Sequence, residues 1–515
     1  MQFGKTVEKW GVFEVCCEGI SEGNPFTERQ IRGIFRGEHE CVCADGFYDG
    51  NGIYKVRFMP SFEGTYSFEI EGNYDQGLCQ ADENEKKQGS FEVTAPSENN
   101  HGPVRVANTF HFAYEDGRPY YSIGTTCYVW DLQSDERIAE TLDSLKNSAF
   151  NKIRFCVFPK HYDYNLGEPR SYPYEGTPMD SGVLTKENFN DYTFKTEGNH
   201  FDYTRFNPAH FAHVEWCISR LMELGIEADL IMMHPYDRWG FCTMTKEQDD
   251  LYWNYAVARF SAFRNVWWSF ANEYDLFPTK TFEDWERYAS IVCEKDPYHH
   301  LRGIHNCRPF YDHNRPWITH CSIQRQDIYK TSELVNEWRE RYKKPVVLDE
   351  IAYEGNIQHG WGNISPEEMT RRFWECACRG GYPGHGETYM NEDDVLWWSH
   401  GGKLHGESWK RFELLHRIMC ETPGLGLEPW RNCGWDEVAA VPEKEFMQPV
   451  KSYYLFYYSF MRPSFRDYYF DDTTEYEVNV IDTWEMTIEK RGTFKGHFRI
   501  ELPGKSYMAV QVKKR

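Results

Sequence analysis

Several kinds of run are missing from this 515-residue chain. No stretch approaches the roughly 18 apolar residues that a membrane-spanning helix needs, so no membrane partner is expected. The opening MQFGKTVEKWGVFEV has no apolar segment behind a basic region, which points to a cytoplasmic protein. There is no CxxC framework. Sixteen cysteines are scattered, with Cys16 and Cys17 adjacent and two CxC pairs, Cys41 with Cys43 and Cys376 with Cys378; they read as reduced thiols rather than a disulfide or zinc scaffold. No GxGxxG follows a first strand and no GxxxxGK[ST] occurs, which removes the two common nucleotide-binding loops. Basic charge is short as well. With 57 Lys and Arg against 80 Asp and Glu, the net charge of −23 disfavours capture of nucleic acid. Aliphatic side chains are also scarce, because aromatics supply 17% of the chain out of 40% hydrophobic residues. Phe, Tyr and Trp must therefore fill much of the interior, and the amphipathic rings of 18 Trp and 34 Tyr can line a wet cleft for a flat, hydroxylated ligand.

The chain is too long for one core, and its patterning divides it in three. Residues 1–97 read as a small β-sandwich: YKVRFMP and TYSFEI alternate with period 2 between Gly-rich turns, and QADENEKKQGS (80–90) is a charged loop or edge. A polar linker, APSENNHGP, precedes a change of rhythm. From 104 to 432, apolar runs such as KIRFCVF, EADLIMMH, NVWWSFANE and KPVVLDE alternate with helical segments such as PAHFAHVEWCISRLMELG and TFEDWERYASIVCEK. Repeated strand–helix units of this length predict an α/β fold, a (β/α)8 TIM barrel flanked by two small β-sandwich domains. The second sandwich spans 435–515, where EYEVNVIDTWEMTIEKRG and KGHFRIELPGKSYMAVQVKKR return to period 2.

In such a barrel the C-terminal ends of the strands face the active site. Asn272 and Glu273 close NVWWSFANE, the fourth strand counted from YYSIGTTCYVW (120–130), and Glu350 closes PVVLDE, the seventh. Two carboxylates at a barrel mouth are the minimum equipment for cleaving a glycosidic bond, provided one holds its proton and the other stays ionised. Other strand-end and loop candidates surround them. Asp131 is either an acid of a helix N-cap region or a sugar ligand; Glu387, inside GHGETY, is placed to reach the cavity floor; Trp239 is a stacking platform; His161, Tyr236 and Trp361 lie on long loops over the same face. No metal set is legible, since His299 and His300 are adjacent and cannot both point one way, and a Schiff-base barrel needs a lysine at a strand end, whereas the only plausible one, Lys160, follows a proline on a loop.

Asn-Glu after a fourth strand and Glu after a seventh resembles the clan A glycoside hydrolases, whose (β/α)8 barrels retain anomeric configuration. FNKIRF (150–155) is similar to that clan's second-strand Asn-x-x-Arg signature, which gives Arg154 the place of the arginine supporting the nucleophile. His234 after LIMM, His305 after LRGI, and Trp397 with Trp398 near the eighth strand resemble its barrel-mouth residues. The sandwich, barrel and sandwich order, with HGETYMNEDDVLWWSHGGKLHGES (385–408), resembles the glycosidases related to apiosidases. The resemblance implies a carbohydrate substrate, Glu273 as general acid/base, Glu350 as nucleophile, Asn272 on the neighbouring sugar hydroxyl, and no cofactor. The clan's residue after the sixth strand, which orients the nucleophile, has two counterparts in ITHCSIQRQ: His320 or Gln324. Cytoplasmic location and the insertions 159–207 and 355–365 favour an exo-acting enzyme on oligosaccharides or small glycosides. A transglycosylase, an endo-acting glycanase and a non-catalytic carbohydrate-binding relative are the alternatives, and the sandwiches are candidate surfaces for a homo-oligomer.

Overall fold

The computed structural model describes residues 1–76, 87–325, 327, 329–391 and 395–515. Eight short strands form one parallel sheet: β1 (Gly124–Thr126), β2 (Lys152–Cys156), β3 (Glu227–Met233), β4 (Val266–Ala271), β5 (Arg302–Gly303), β6 (Cys321–Gln324), β7 (Val346–Glu350) and β8 (Tyr382–His385). Their order across the sheet is β5, β4, β3, β2, β1, β8, β7, β6, the cyclic sequence of a (β/α)8 barrel. Strands covered on both faces must be apolar throughout, and every residue of VWWSFA in β4 is buried. The run YYSIGTTCYVW is not one strand: Pro119–Tyr120 pairs back on His111–Tyr114, and only Gly124–Thr126 enters the barrel. Helices between the strands begin where the sequence supplies caps. Thr245 and Gln248 form a capping box, Asn207 and Ser365 accept amides ahead of Pro208 and Pro366, and these stops fix the strand–helix turns.

The chain forms two compact units. One comprises Met1–Val104, Val129–Asp135 and Phe155–Ile304. Its first hundred residues form four- and five-stranded sheets, antiparallel but for the edge strand Thr6–Glu8, which runs parallel to Gln88–Thr94. Of the charged stretch 80–90, residues 80–86 lie outside the described residues and 88–90 already belong to that strand. The core here is aromatic, as the scarcity of aliphatics demanded. Phe13 stacks on Phe91 at 3.6 Å and Phe35 on Phe58 at 4.4 Å, each buried ring contributing about 1.5–3 kcal/mol. Arg57 leaves this sandwich to meet Glu215 at 2.7 Å on the helix Pro208–Glu223, and Arg259 binds the same carboxylate.

The other unit comprises Arg105–Tyr128, Glu136–Arg154 and His305–Arg515. Its C-terminal part is a six-stranded antiparallel sheet with a two-stranded companion, Phe465–Tyr469 with His497–Glu501. Tyr454, Phe456, Tyr468 and Phe498 form its core with Val478, Val510 and Val512.

At the start of β3, burial raises the Glu227 carboxyl to about 8, outweighing the Trp267 indole N–H, 2.9 Å away, and the charge of Arg264. The fold thus holds a proton that the unfolded chain releases near 4.5, so stability must fall as pH rises from about 4.5 through 8. Glu227→Gln keeps an acceptor for Trp267 and removes the ionisation. Its urea midpoint is expected to vary less across that window than that of the parent; parallel curves would acquit Glu227.

Candidate active site

The end of β4 sets out the first half of the site. Asn272 N–H still donates to the Met233 carbonyl of β3 at 3.0 Å, after which Glu273 turns to φ 53 and ψ 59, a left-handed conformation that a side chain-bearing residue adopts only where its surroundings enforce it. Glu273 is buried. The Tyr236 hydroxyl donates to its Oε2, and Asn272 Nδ2 donates to the same oxygen at 3.2 Å. Lys160 Nζ lies 4.2 Å from the Tyr236 ring centroid, on the face of that phenol.

His234, next along from β3, is buried and donates from Nε2 to the Phe158 carbonyl at 3.1 Å. Burial, with Lys160 nearby, pushes its imidazole down to about 3, so it is neutral and offers Nδ1 as an acceptor. Trp239 follows on a loop fixed by Asp237, whose carboxylate accepts the amides of Trp239, Gly240 and Cys242 at 2.8, 3.0 and 2.9 Å. Its buried indole N–H lies by the Tyr172 hydroxyl, a donor that a ligand hydroxyl can share. His161 bonds the Phe189 carbonyl at 2.9 Å within the 159–207 insertion. Asp131 stands apart from this group. Its carboxyl is fully buried and close enough to the Cys217 thiol of the helix Pro208–Glu223 to perturb it; burial raises it well above the carboxylate range, against the backbone amides of Asp131 and Leu132 and the charge of Arg170.

The second half gathers on Glu350 at the end of β7. Its Oε1 accepts from the Tyr128 hydroxyl at 2.5 Å and from Arg154 Nη1 at 3.4 Å, with His305 Nε2 at 3.9 Å. Arg154 and His305 therefore converge on this carboxylate. His305 is held neutral, its imidazole pushed well below its ordinary value by burial and by Arg154. One residue earlier in β7, Asp349 binds Lys152 at 2.8 Å and the Ser322 hydroxyl at 2.5 Å. Burial works to raise Asp349, yet Lys152 and Arg154 keep it well below the carboxylate range. Two acid–base pairs from β2 and β7 thus lie one above the other, and the lower one fixes the strand that carries Glu350.

Gln324 lies in register beside Glu350 across β6 and β7, and its backbone is bridged by the Asn306 amide at 2.9 and 3.3 Å. His320 precedes β6 and packs edgewise on Phe112. The hydroxyl on Glu350 comes instead from Tyr128, two residues past β1. Sequence reasoning passed over it for Asp131, three residues further on; its only signal was proximity to the end of the first strand.

Trp398 packs against Tyr128 at 5.2 Å and Trp361 at 5.1 Å, and its carbonyl accepts the Tyr128 amide at 2.9 Å. Trp397 is turned inward, donating to Thr125 Oγ1 at 2.9 Å. Glu387 is taken up by backbone, accepting the amides of His405 and Gly406 at 2.5 and 2.8 Å.

Comparison with known families and structures places the chain. Residues 107–446 match the model of the apiosidase-like catalytic domain, while 6–73 and 435–513 match two domains of unknown function, DUF5060 and DUF5605. No curated protein matches the chain. A candidate glycoside hydrolase from Bacteroides vulgatus ATCC 8482 is 33% identical, with 99% of this chain and 100% of that one covered and a TM-score of 0.88. A family 5 glycoside hydrolase from the same organism, 16% identical over 80% of this chain and 93% of its own, has the same fold at a TM-score of 0.60. The chain belongs to the apiosidase-like family and is a glycoside hydrolase with a clan A-like barrel.

Proposed function

We propose that the enzyme hydrolyses its glycoside with retention, by double displacement through a covalent glycosyl-enzyme. The observation that carries this reading is the grip on Glu350: a phenol hydroxyl and a guanidinium on one carboxylate oxygen favour its ionised form, the state a nucleophile needs. Glu273 is held by the Tyr236 hydroxyl and the Asn272 amide on one oxygen, and it is the carboxyl we assign to proton transfer.

In the first step an oxygen of Glu350 attacks the anomeric carbon, the glycosidic C–O bond breaks, and the Glu273 proton passes to the departing oxygen. In the second, Glu273 takes a proton from water, whose oxygen displaces Glu350 from the anomeric carbon and restores both carboxyls. Asn272, His234 Nδ1 and the Trp239 indole are the groups we assign to sugar hydroxyls, with Trp398 as the stacking surface and Gln324 beside the nucleophile. An exo-acting enzyme is favoured by the length of the 159–207 insertion.

Two inversions restore the starting configuration, so the test is stereochemical. Aryl pyranosides and furanosides of both anomers are screened, and the first-formed sugar from the best substrate is followed by proton NMR before it mutarotates. The anomer of the substrate is expected; its opposite would end the double-displacement reading.

A further inference from the structure

Past β7 and β8 the chain pairs once more, as a two-stranded parallel ribbon of Glu354–Gly355 with Glu387–Thr388, in which Glu354 lies opposite Glu387. Paired positions on neighbouring strands project to one side, so the register sets two carboxylates together. Both are buried, and among the described residues neither has an ion pair with a lysine or arginine. Four successive amides close over them. His405 and Gly406 donate to Glu387, while Glu407 and Ser408 donate to Glu354 at 2.7 and 3.1 Å. The loop approaches so closely that a Cβ on Gly406 would lie 2.5 Å from Glu387 Oε2 and 2.6 Å from Glu354 Oε1.

His385, two residues before Glu387, adds a nitrogen. Its Nδ1 is 3.0 Å from Thr125 Oγ1, and its Nε2 is buried with no hydrogen-bond partner among the described residues. One ligand atom from each of Glu354, His385 and Glu387 lies within 4.8 Å of the others.

We propose that Glu354, His385 and Glu387 bind a divalent transition-metal cation of the zinc type. Two adjacent buried carboxyl groups can relieve their mutual repulsion by holding a proton between them, and a dication can take that proton's place. The chemistry of the donors agrees: two carboxylates with one imidazole suit zinc, manganese or iron(II) rather than calcium. Thr125 Oγ1, already accepting from the Trp397 indole, can accept a second hydrogen bond from His385 Nδ1–H, and that tautomer leaves a lone pair on Nε2. The hydroxyls of Ser408 and Tyr389 donate to Glu354 and can turn away as its oxygens meet the metal. The cation would pin the 405–408 loop to the ends of β7 and β8.

The test uses the full chain, stripped with chelator and then titrated with cobalt(II) or zinc alone. One equivalent of cobalt should bind with a visible ligand-field band and no thiolate charge-transfer absorption, and zinc should raise the unfolding midpoint by several degrees. Glu387→Gln and His385→Gln should each lose the band while keeping the far-ultraviolet circular dichroism of the parent. Should both variants unfold, the parent alone decides: less than a tenth of an equivalent after dialysis against zinc overturns the site. Thiolate absorption, or a band that survives in a folded His385→Gln, overturns it equally.

Discussion

Glu350→Gly is expected to lower kcat/KM on the order of 10⁴-fold or more, since it removes the group that forms the covalent bond. Azide should then restore turnover of an activated aryl glycoside, giving a glycosyl azide of inverted configuration. The reason lies in what glycine leaves behind. The Tyr128 hydroxyl and the Arg154 guanidinium stay aimed at the vacated volume, and a small anion placed there meets the donors that held the carboxylate. Attack from that side displaces the aryl group once, so inversion marks the site of the lost nucleophile. Parent-like turnover without azide would remove Glu350 from the mechanism, and a retained product would assign it the other role.

Glu273→Ala should give a different signature. Loss of a general acid costs about 10²–10⁴-fold where the leaving oxygen needs a proton, and little where it departs as a stable phenolate. The penalty is therefore expected to be large for alkyl glycosides and small for dinitrophenyl ones in the first step. The second step loses its base with every substrate, so the intermediate should accumulate and produce a burst of phenol. Azide needs no deprotonation and should intercept that intermediate with retained configuration. The two variants thus separate by product stereochemistry, a readout that general damage to the barrel cannot imitate. An equal loss with every leaving group would reduce Glu273 to a structural acid.

The barrel was legible because its strands are short runs of apolar residues bounded by helices with clear caps. Glu273 and Glu350 could be found as the last residues of two such runs. What surrounds them was partly hidden. Arg154 and His305 were named from their motifs and meet Glu350, but Tyr128 depends on a loop beyond a strand of only three residues. Asp131 looked equivalent from its place after the same strand, and a turn of 3-10 helix, Trp130–Leu132, carries it toward Cys217 instead. Glu387 was expected at the cavity floor; the amides that claim it lie 18 and 19 residues further along, a separation that spacing rules do not reach. For the same reason Glu354, His385 and Glu387 gave no metal signature, being brought together by strand register rather than by a local motif.

The arginine that leaves the N-terminal sandwich has a bearing on how such proteins can be cut and recombined. Arg57 Nη1 also donates to the Arg259 carbonyl at 2.8 Å, and its guanidinium lies 4.9 Å from the centroid of Phe47. Excising the first hundred residues would leave Glu215 sharing its buried charge with Arg259 alone and would open the helix Lys246–Phe260 to water where Tyr255 now reaches the Tyr48 carbonyl. The module that family models mark off as separate is, on its inner face, part of the enzyme's wall. A catalytic fragment for expression or domain swapping has to begin before it.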